Sequence, residues 1–225
     1  QVTKNPVVSH DIEVRYLTWV DTKVTGGRGR LRYADIVKIN ALKGSIDLQG
    51  DYPLDLSAIA EVSGLEKAYV DPLNITATGT LKRTVGKIRS RYNEGDVRGD
   101  IVIQGLSSDA PFQAKLQWDD LLIPYADAQD IHLKEGVLNA SGVLSEIRLR
   151  INTDLTAKDI PSGQYQARGL LVLADKKLNI EQLNANVPAG RLLAQGFSGW
   201  EDSFEAKISA SGRNFDIRRV IPEQY

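Results

Sequence analysis

The sequence contains no cysteine and no methionine, and only two histidines occur in its 225 residues. The absence of cysteine excludes disulfides, thiolate metal sites and a cysteine nucleophile, but it is compatible with both the periplasm and the cytosol. Methionine is missing even at position 1, and no signal peptide is visible. We therefore interpret the sequence as a segment of a longer polypeptide.

The sequence also lacks an excess of charge of one sign and long hydrophobic runs. The net charge is -1 and the pI is near 6.2. A nucleic-acid-binding protein needs a basic surplus, so we expect no nucleic-acid partner. The most apolar runs, Gly169–Ala174 and Leu121–Ala126, are far shorter than the roughly 20 residues that a transmembrane helix needs. We therefore expect this chain not to span a membrane.

The sequence contains no motif for catalysis, metal binding or phosphate binding in which the residues have the spacing that the function requires. His10 and His132 are far apart and in no metal-ligand pattern. The glycine-rich stretch Thr25–Arg30 lacks the Gly-Lys-Ser/Thr ending of a phosphate loop, so we interpret it as an ordinary loop. Gly196–Gly199 does not have the spacing of a nucleophile elbow. We interpret Asp119–Asp120 as solvated turn residues and expect no enzyme activity, no metal and no cofactor.

What the sequence does contain is a pervasive period of two. Ile147, Leu149 and Ile151, for example, alternate with Arg148 and Arg150. Such alternation is typical of strands with one apolar and one polar face, and frequent Gly, Asn, Asp and Pro residues mark turns between them. The pattern predicts an all-β fold of roughly 20 short strands.

The apolar members of the clearest alternations should share one face of the sheet. These residues are Ile12, Val14, Tyr16, Leu54, Leu56, Phe112, Leu116, Ile147, Leu149, Ile151, Phe204 and Ile208.

Three similar segments suggest a degenerate repeat, with Gly79, Gly142 and Gly196 each expected near the end of a strand. The irregular spacing favours an elongated, meandering sheet over a propeller, whose blades have about 40–50 residues. Helix is scarce, and only Asp216–Pro222 is predicted as a helical turn. We place no internal domain boundary and treat residues 1–225 as one continuous segment.

The apolar face must be buried against something, and two arrangements satisfy that need. A second sheet would give a sandwich, whereas a sheet curled into an open trough would expose the face to an acyl chain. Two acyl chains with about 30 methylene groups would lose on the order of 24 kcal/mol on crossing bare water, which an apolar trough would largely avoid. The pattern alone leaves both arrangements open.

The order of several weak motifs resembles one bacterial family. Leu116–Pro124 is similar to that family's strand with a tryptophan and a Leu-x-x-Pro ending, and Leu138–Leu149 is similar to its recurrent Gly-x-Leu hairpin. The most specific stretch, Leu183–Pro222, contains Gly190-Arg-Leu192 and Gly196-Phe-Ser-Gly-Trp200 in the expected order. From about Ile12 to Glu223 the chain resembles the amino-terminal half of the periplasmic part of TamB-like proteins, which are related to AsmA.

The resemblance implies a curled "β-taco" sheet and a periplasmic location, with an inner-membrane anchor outside this chain. It implies that the twelve apolar residues line a groove for phospholipid acyl chains. It also implies cooperation with a TamA-like outer-membrane protein, through parts of the protein not in this chain. The alternative is a structural or protein-binding β-domain that acts in outer-membrane protein assembly without binding lipid.

Overall fold

A computed structural model of the chain describes residues 10–13, 16–33, 37–62, 72–92, 95–105, 107, 109–125, 129–158, 160–200 and 205–214. Within these ranges the regular structure is entirely β, which confirms the predicted fold class. The strands are β1 (His10–Glu13), β2 (Tyr16–Val20), β3 (Lys23–Tyr33), β4 (Val37–Asp47), β5 (Pro53–Val62), β6 (Leu73–Thr80), β7 (Arg83–Tyr92), β8 (Gly95–Ile103), β9 (Phe112–Tyr125), β10 (Gln129–Val143), β11 (Glu146–Thr156), β12 (Gly163–Val172), β13 (Lys177–Val187), β14 (Gly190–Gly199) and β15 (Glu205–Arg213).

The strands form one antiparallel sheet in which spatial order follows chain order from β3 to β15. The first two strands, β1 and β2, both pair with β3, β2 beside its first half and β1 beside its second. Neighbouring strands are therefore joined as hairpins, and no crossover connects the described strands. The sheet is curled and does not close, so β1 and β2 form one edge and β15 forms the other.

Two-residue turns connect several of these strands. Gly79 and Gly142 stand one residue before the end of β6 and β10, with φ angles of +134° and +139°, in a region that only glycine adopts readily. These two repeat units are therefore equivalent in structure. The third segment also lies at the end of its strand, β14, but Gly196 stands three residues before that end, opposite Ile208, and does not have a positive φ.

Two further expectations are corrected. Thr25–Arg30 is part of β3 and not a loop, although the register with β4 shifts at Gly26–Gly29. Asp119–Asp120 lies inside β9 and not at a turn. Asp120 has a φ of +57°, and this local irregularity, which interrupts the alternation of the strand, imitates a turn in the sequence.

The described residues form 15 strands instead of the roughly 20 that were expected. The prediction was too high because several strands are long, with 14 residues in β9 and 15 in β10. Irregularities within these strands produce turn-like breaks in the pattern without ending the pairing. The predicted helical turn at Asp216–Pro222 lies outside the described residues.

The sheet is a single layer. Extensive contacts between strands join only neighbours in the sheet, and no large side chain is fully buried among the described residues. The accessible surface is 16038 Å², whereas a compact protein of 24.8 kDa would expose about 10,000 Å². In the described part of the chain the apolar face is therefore not covered by a second sheet, which argues against the sandwich arrangement.

Candidate functional site

The strand register aligns apolar residues into rows that run across the strands. Residues paired directly across an antiparallel ladder share a face of the sheet. Leu149 of β11, for example, stands opposite Ala140 of β10 and Gly169 of β12. We call the face that carries Leu149 the apolar face, and the opposite one, which carries Arg148, the polar face.

Two adjacent rows on the apolar face cross eleven strands, from β5 to β15, and contain only leucine, isoleucine, alanine and glycine. The first row is Leu56, Ala77, Gly86, Ile101, Ala114, Ala140, Leu149, Gly169, Ile180, Gly196 and Ile208. The second row is Ala58, Ile75, Ile88, Gly99, Leu116, Leu138, Ile151, Ala167, Leu183, Ala194 and Ala210. These 22 residues are called the central strip.

Large and small residues are interspersed along the central strip, and several of the large ones stand opposite a glycine of the neighbouring strand. A Cβ atom built on Gly99 would lie 3.1 Å from Leu116 Cδ1, and one on Gly86 would lie 2.7 Å from Ile101 Cγ2. Glycine therefore makes room for a bulky neighbour on a crowded face. Most large side chains of the strip are half-buried, and Leu56 and Ile208 are exposed.

Polar groups on the apolar face flank the strip and are largely satisfied within the protein. The Thr153 hydroxyl donates to the Glu135 carbonyl oxygen at 3.0 Å, and the Tyr165 hydroxyl donates to the Pro161 carbonyl oxygen at 2.5 Å. Burial raises the pKa of the Tyr165 phenol above its ordinary value. The indole of Trp118 covers Gly136, and its Nε1 has no hydrogen-bond partner among the described residues.

The polar face carries charges of both signs. Asp100 stands between Lys87 and Lys115 on the neighbouring strands, and Arg168 Nε lies 3.8 Å from Glu181 Oε2. These side chains are exposed, so their ion pairs contribute little to stability. The polar face therefore keeps one side of the sheet hydrated while the other remains apolar.

Bulges in β10 and β13 change which face of the sheet the following side chains point to, and they bend these strands. In β13 the register shifts on both sides at Glu181–Gln182, and in β10 it shifts between Leu133 and Gly136. After the shift in β13, Leu183 returns to the apolar face opposite Ala194. Bulges bend a strand and increase its twist, so they contribute to the curl of the sheet.

Eight of the twelve residues predicted from the sequence have described side chains, and all eight lie on the apolar face. They are Leu54, Leu56, Phe112, Leu116, Ile147, Leu149, Ile151 and Ile208. Val14 and Phe204 lie outside the described residues. Only the backbone pairing is described for Ile12, which stands opposite Leu31, and for Tyr16, which stands opposite Gly27. That these residues line a lipid groove stays a prediction.

The sequence interpretation missed the small residues of the central strip. Ala77, Gly86, Ala140, Gly169 and Gly196 occupy positions that are equivalent to those of the large residues. Their signal in the sequence was a small residue at an apolar position of the period-two pattern. It is weak because alanine and glycine are also common in turns and on polar faces.

No group of three or more His, Asp or Glu side chains that could hold a metal ion occurs among the described residues. His132 Nε2 lies 2.5 Å from Asp120 Oδ1 in a solitary pair at the irregular part of β9 and β10. No described helix has the length and apolar character required to cross a bilayer.

Comparison with known proteins identifies the family. A family model described as TamB, N-terminal domain, matches residues 34–224, which is most of the chain. No curated protein and no solved structure matches the chain. The family match and the single curled β-sheet agree with the resemblance drawn from the motifs. The chain therefore belongs to the TamB family.

Proposed function

We propose that this chain is a periplasmic segment of a TamB-like protein whose apolar face forms a groove for phospholipid acyl chains. In this proposal the groove conducts phospholipid between the inner and outer membranes. The observation that carries it is the central strip, which is apolar across eleven strands and has no second layer of protein over it in the described part of the chain.

The dimensions of the strip suit an elongated apolar ligand. Strands are spaced by about 4.8 Å, so ten spacings extend about 48 Å across the sheet. Each methylene group that an acyl chain buries there is worth about 0.8 kcal/mol relative to water. Because the strip contains no polar side chain, no single position would hold the chain by a hydrogen bond, and a lipid could slide along it.

The family supports the cellular setting. Proteins of the TamB family are transport and assembly proteins with a periplasmic part and an inner-membrane anchor. We propose the periplasm as the location of this chain and a role linked to a TamA-like outer-membrane protein. The predicted residues that lie on the apolar face, with the small residues of the central strip, are the proposed lining of the groove; Tyr16 is left out of it, because the backbone register puts its neighbour Leu17 in the apolar row of Gly26 and Gly44.

Lipid analysis of the purified chain tests the proposal. Mass spectrometry of organic extracts should detect co-purified phospholipid, and delipidated protein should take up a fluorescent phospholipid from vesicles. Protein that is folded, free of lipid and unable to take up the probe would contradict the lipid groove. That result would favour the alternative, a structural or protein-binding domain.

A further inference from the structure

Two strands in the middle of the sheet, β7 and β8, carry a pair of arginines that face each other on the polar face. Arg89 and Arg98 are direct cross-strand partners, and both side chains are exposed. The polar-face pairs that flank them combine opposite charges: Lys87 with Asp100, and Arg91 with Asp96. Because like charges directly opposite each other destabilise an antiparallel ladder, the central pair breaks this pattern at a cost.

No acidic side chain compensates this arginine pair within the described part of the chain. The other cross-strand neighbour of Arg89 is Asn74, and that of Arg98 is Gln117, so the pair is flanked by amides and not by carboxylates. Neither arginine forms an ion pair with a described residue. The donors of both guanidinium groups therefore remain available to a ligand.

A second cross-strand arginine pair in the same sheet has a carboxylate beside it. Arg150 of β11 stands opposite Arg168 of β12 on the polar face, and Arg168 Nε lies 3.8 Å from Glu181 Oε2 of β13. The negative charge of this glutamate offsets the repulsion between the two arginines. For the pair in β7 and β8, an anion from outside the chain would have the same effect.

The arginine pair lines an open pocket of about 420 Å³ together with a third arginine. This is Arg91, the penultimate residue of β7, whose Nε lies 3.4 Å from Asp96 Oδ1. The remaining residues that line the pocket are uncharged, so three arginines and one aspartate give it a surplus of two positive charges. We call Arg89, Arg91 and Arg98 the arginine site.

A terminal phosphate group matches the arginine site better than a carboxylate does. A guanidinium group offers a fork of parallel N–H donors, and a single fork occupies both oxygens of a carboxylate. A terminal phosphate presents three acceptor oxygens and carries up to two negative charges. It can therefore accept hydrogen bonds from the forks of two neighbouring strands at once and neutralise the surplus charge of the pocket.

We propose that the arginine site binds a terminal phosphate group, supplied either by a soluble phosphate or by the phosphomonoester headgroup of a lipid. Arg89 and Arg98 hold the phosphate between β7 and β8, and Arg91, which Asp96 shares, adds a third donor. The site lies on the polar face and requires no ligand on the apolar face. It therefore stands independently of the proposed lipid groove.

Calorimetric titration of the chain with inorganic phosphate and with pyrophosphate, at low ionic strength, tests this proposal. The unmodified chain should bind both probes, much more tightly than acetate, and added salt should weaken binding because the site is exposed. Arg89→Gln and Arg98→Gln should each weaken pyrophosphate binding at least about tenfold, since each removes charge-assisted hydrogen bonds. Both side chains are exposed, so folding should survive. Arg150→Gln, which changes the arginine pair that has a carboxylate, is the matched control and should bind like the unmodified chain.

Vesicle flotation distinguishes the two sources of the phosphate. Vesicles that contain phosphatidic acid present terminal phosphates, whereas phosphatidylglycerol vesicles matched in total charge present only phosphodiesters. If a lipid supplies the group, the chain should float with phosphatidic acid and not with phosphatidylglycerol, and Arg89→Gln should abolish flotation while Leu149→Arg retains it. Binding to the soluble probes without flotation would assign the site to a soluble phosphate.

Three results would overturn the arginine site. The first is that the unmodified chain binds neither the soluble probes nor phosphatidic acid vesicles. The second is that Arg89→Gln and Arg98→Gln bind these probes as tightly as the unmodified chain does. The third is that Arg150→Gln loses as much affinity as they do, or that acetate binds as tightly as phosphate, because either would indicate a general attraction between charges.

Discussion

A substitution at the single residue Leu149 can distinguish an open groove from a closed hydrophobic core. It is half-buried in the central strip between Ala140 and Gly169, whereas Arg148 next to it is exposed on the polar face. An arginine in a closed core would leave an unpaired guanidinium and be severely destabilising. On the wall of an open groove its long side chain can reach water, and the fold can survive.

We therefore predict that Leu149→Arg stays folded, with a loss of about 2 kcal/mol or less in the free energy of unfolding. Phospholipid uptake should nevertheless fall about tenfold, and the full-length protein carrying this change should reach normal abundance but fail to support outer-membrane function. Arg148→Glu is the control and should change neither property. Urea unfolding and vesicle-uptake assays measure both. A folded and fully active Leu149→Arg protein would show that lipid does not pass this position.

Tyr165 gives a pH-dependent prediction at the same scale. Burial raises the pKa of its phenol above the ordinary value of 10.0. Since the folded state holds the proton more tightly, its contribution to stability is complete below pH 10.0 and is lost as pH rises through the higher folded pKa. Burial raises the pKa of Tyr92 as well, so the contribution of Tyr165 is the difference between the absorbance titrations of the unmodified protein and Tyr165→Phe. This difference should have its midpoint above pH 10.0, and a midpoint at or below pH 10.0 would contradict the assignment.

At the scale of the element, the hairpin between β10 and β11 depends on one glycine. Gly142 has a φ of +139°, and a Cβ there would collide with the carbonyl oxygen of Glu146. We predict that Gly142→Ala lowers the free energy of unfolding by at least about 3 kcal/mol, because neither the backbone angle nor the space accepts a side chain.

Gly50 is the matched control for this prediction. Its φ is +62°, but an added Cβ would have no atom within 4 Å. Gly50→Ala should therefore cost only about 1–2 kcal/mol, the penalty of a left-handed backbone alone. Denaturant unfolding of both variants provides the comparison. Equal losses would mean that the contact with Glu146 relaxes without cost.

At the scale of the whole molecule, the single-layer sheet predicts an extended particle. The fourteen strands from β2 to β15 are separated by thirteen spacings of about 4.8 Å, which amounts to about 60 Å across the sheet. A compact globule of 225 residues would have a radius of gyration near 17 Å. Small-angle X-ray scattering should give a clearly larger value, because the described strands form a single layer. A radius near 17 Å would mean that the sheet closes on itself in solution.

The sequence alone determined the all-β class and the orientation of side chains within the most regular strands. Alternation in Ile147–Ile151 is local, because successive side chains of a strand point to opposite faces whatever the strand pairs with. The all-β class and the placement of Leu149 and Arg148 on opposite faces could therefore be predicted. The prediction failed at Asp119–Asp120, where an irregularity and a turn have similar residue patterns.

Only the tertiary structure decided how the strands combine. The register that aligns Leu149 with Ala140 and Gly169 depends on pairing between distant segments, which no single strand encodes. The bulge at Glu181–Gln182 returns Leu183 to the apolar face, and this shift is visible only against β12 and β14. The choice between a sandwich and a single curled sheet likewise rests on contacts between layers. The same alternation of apolar and polar residues is compatible with a sandwich and with a single curled sheet. The open apolar strip could therefore be recognised only when the neighbours of each strand were known.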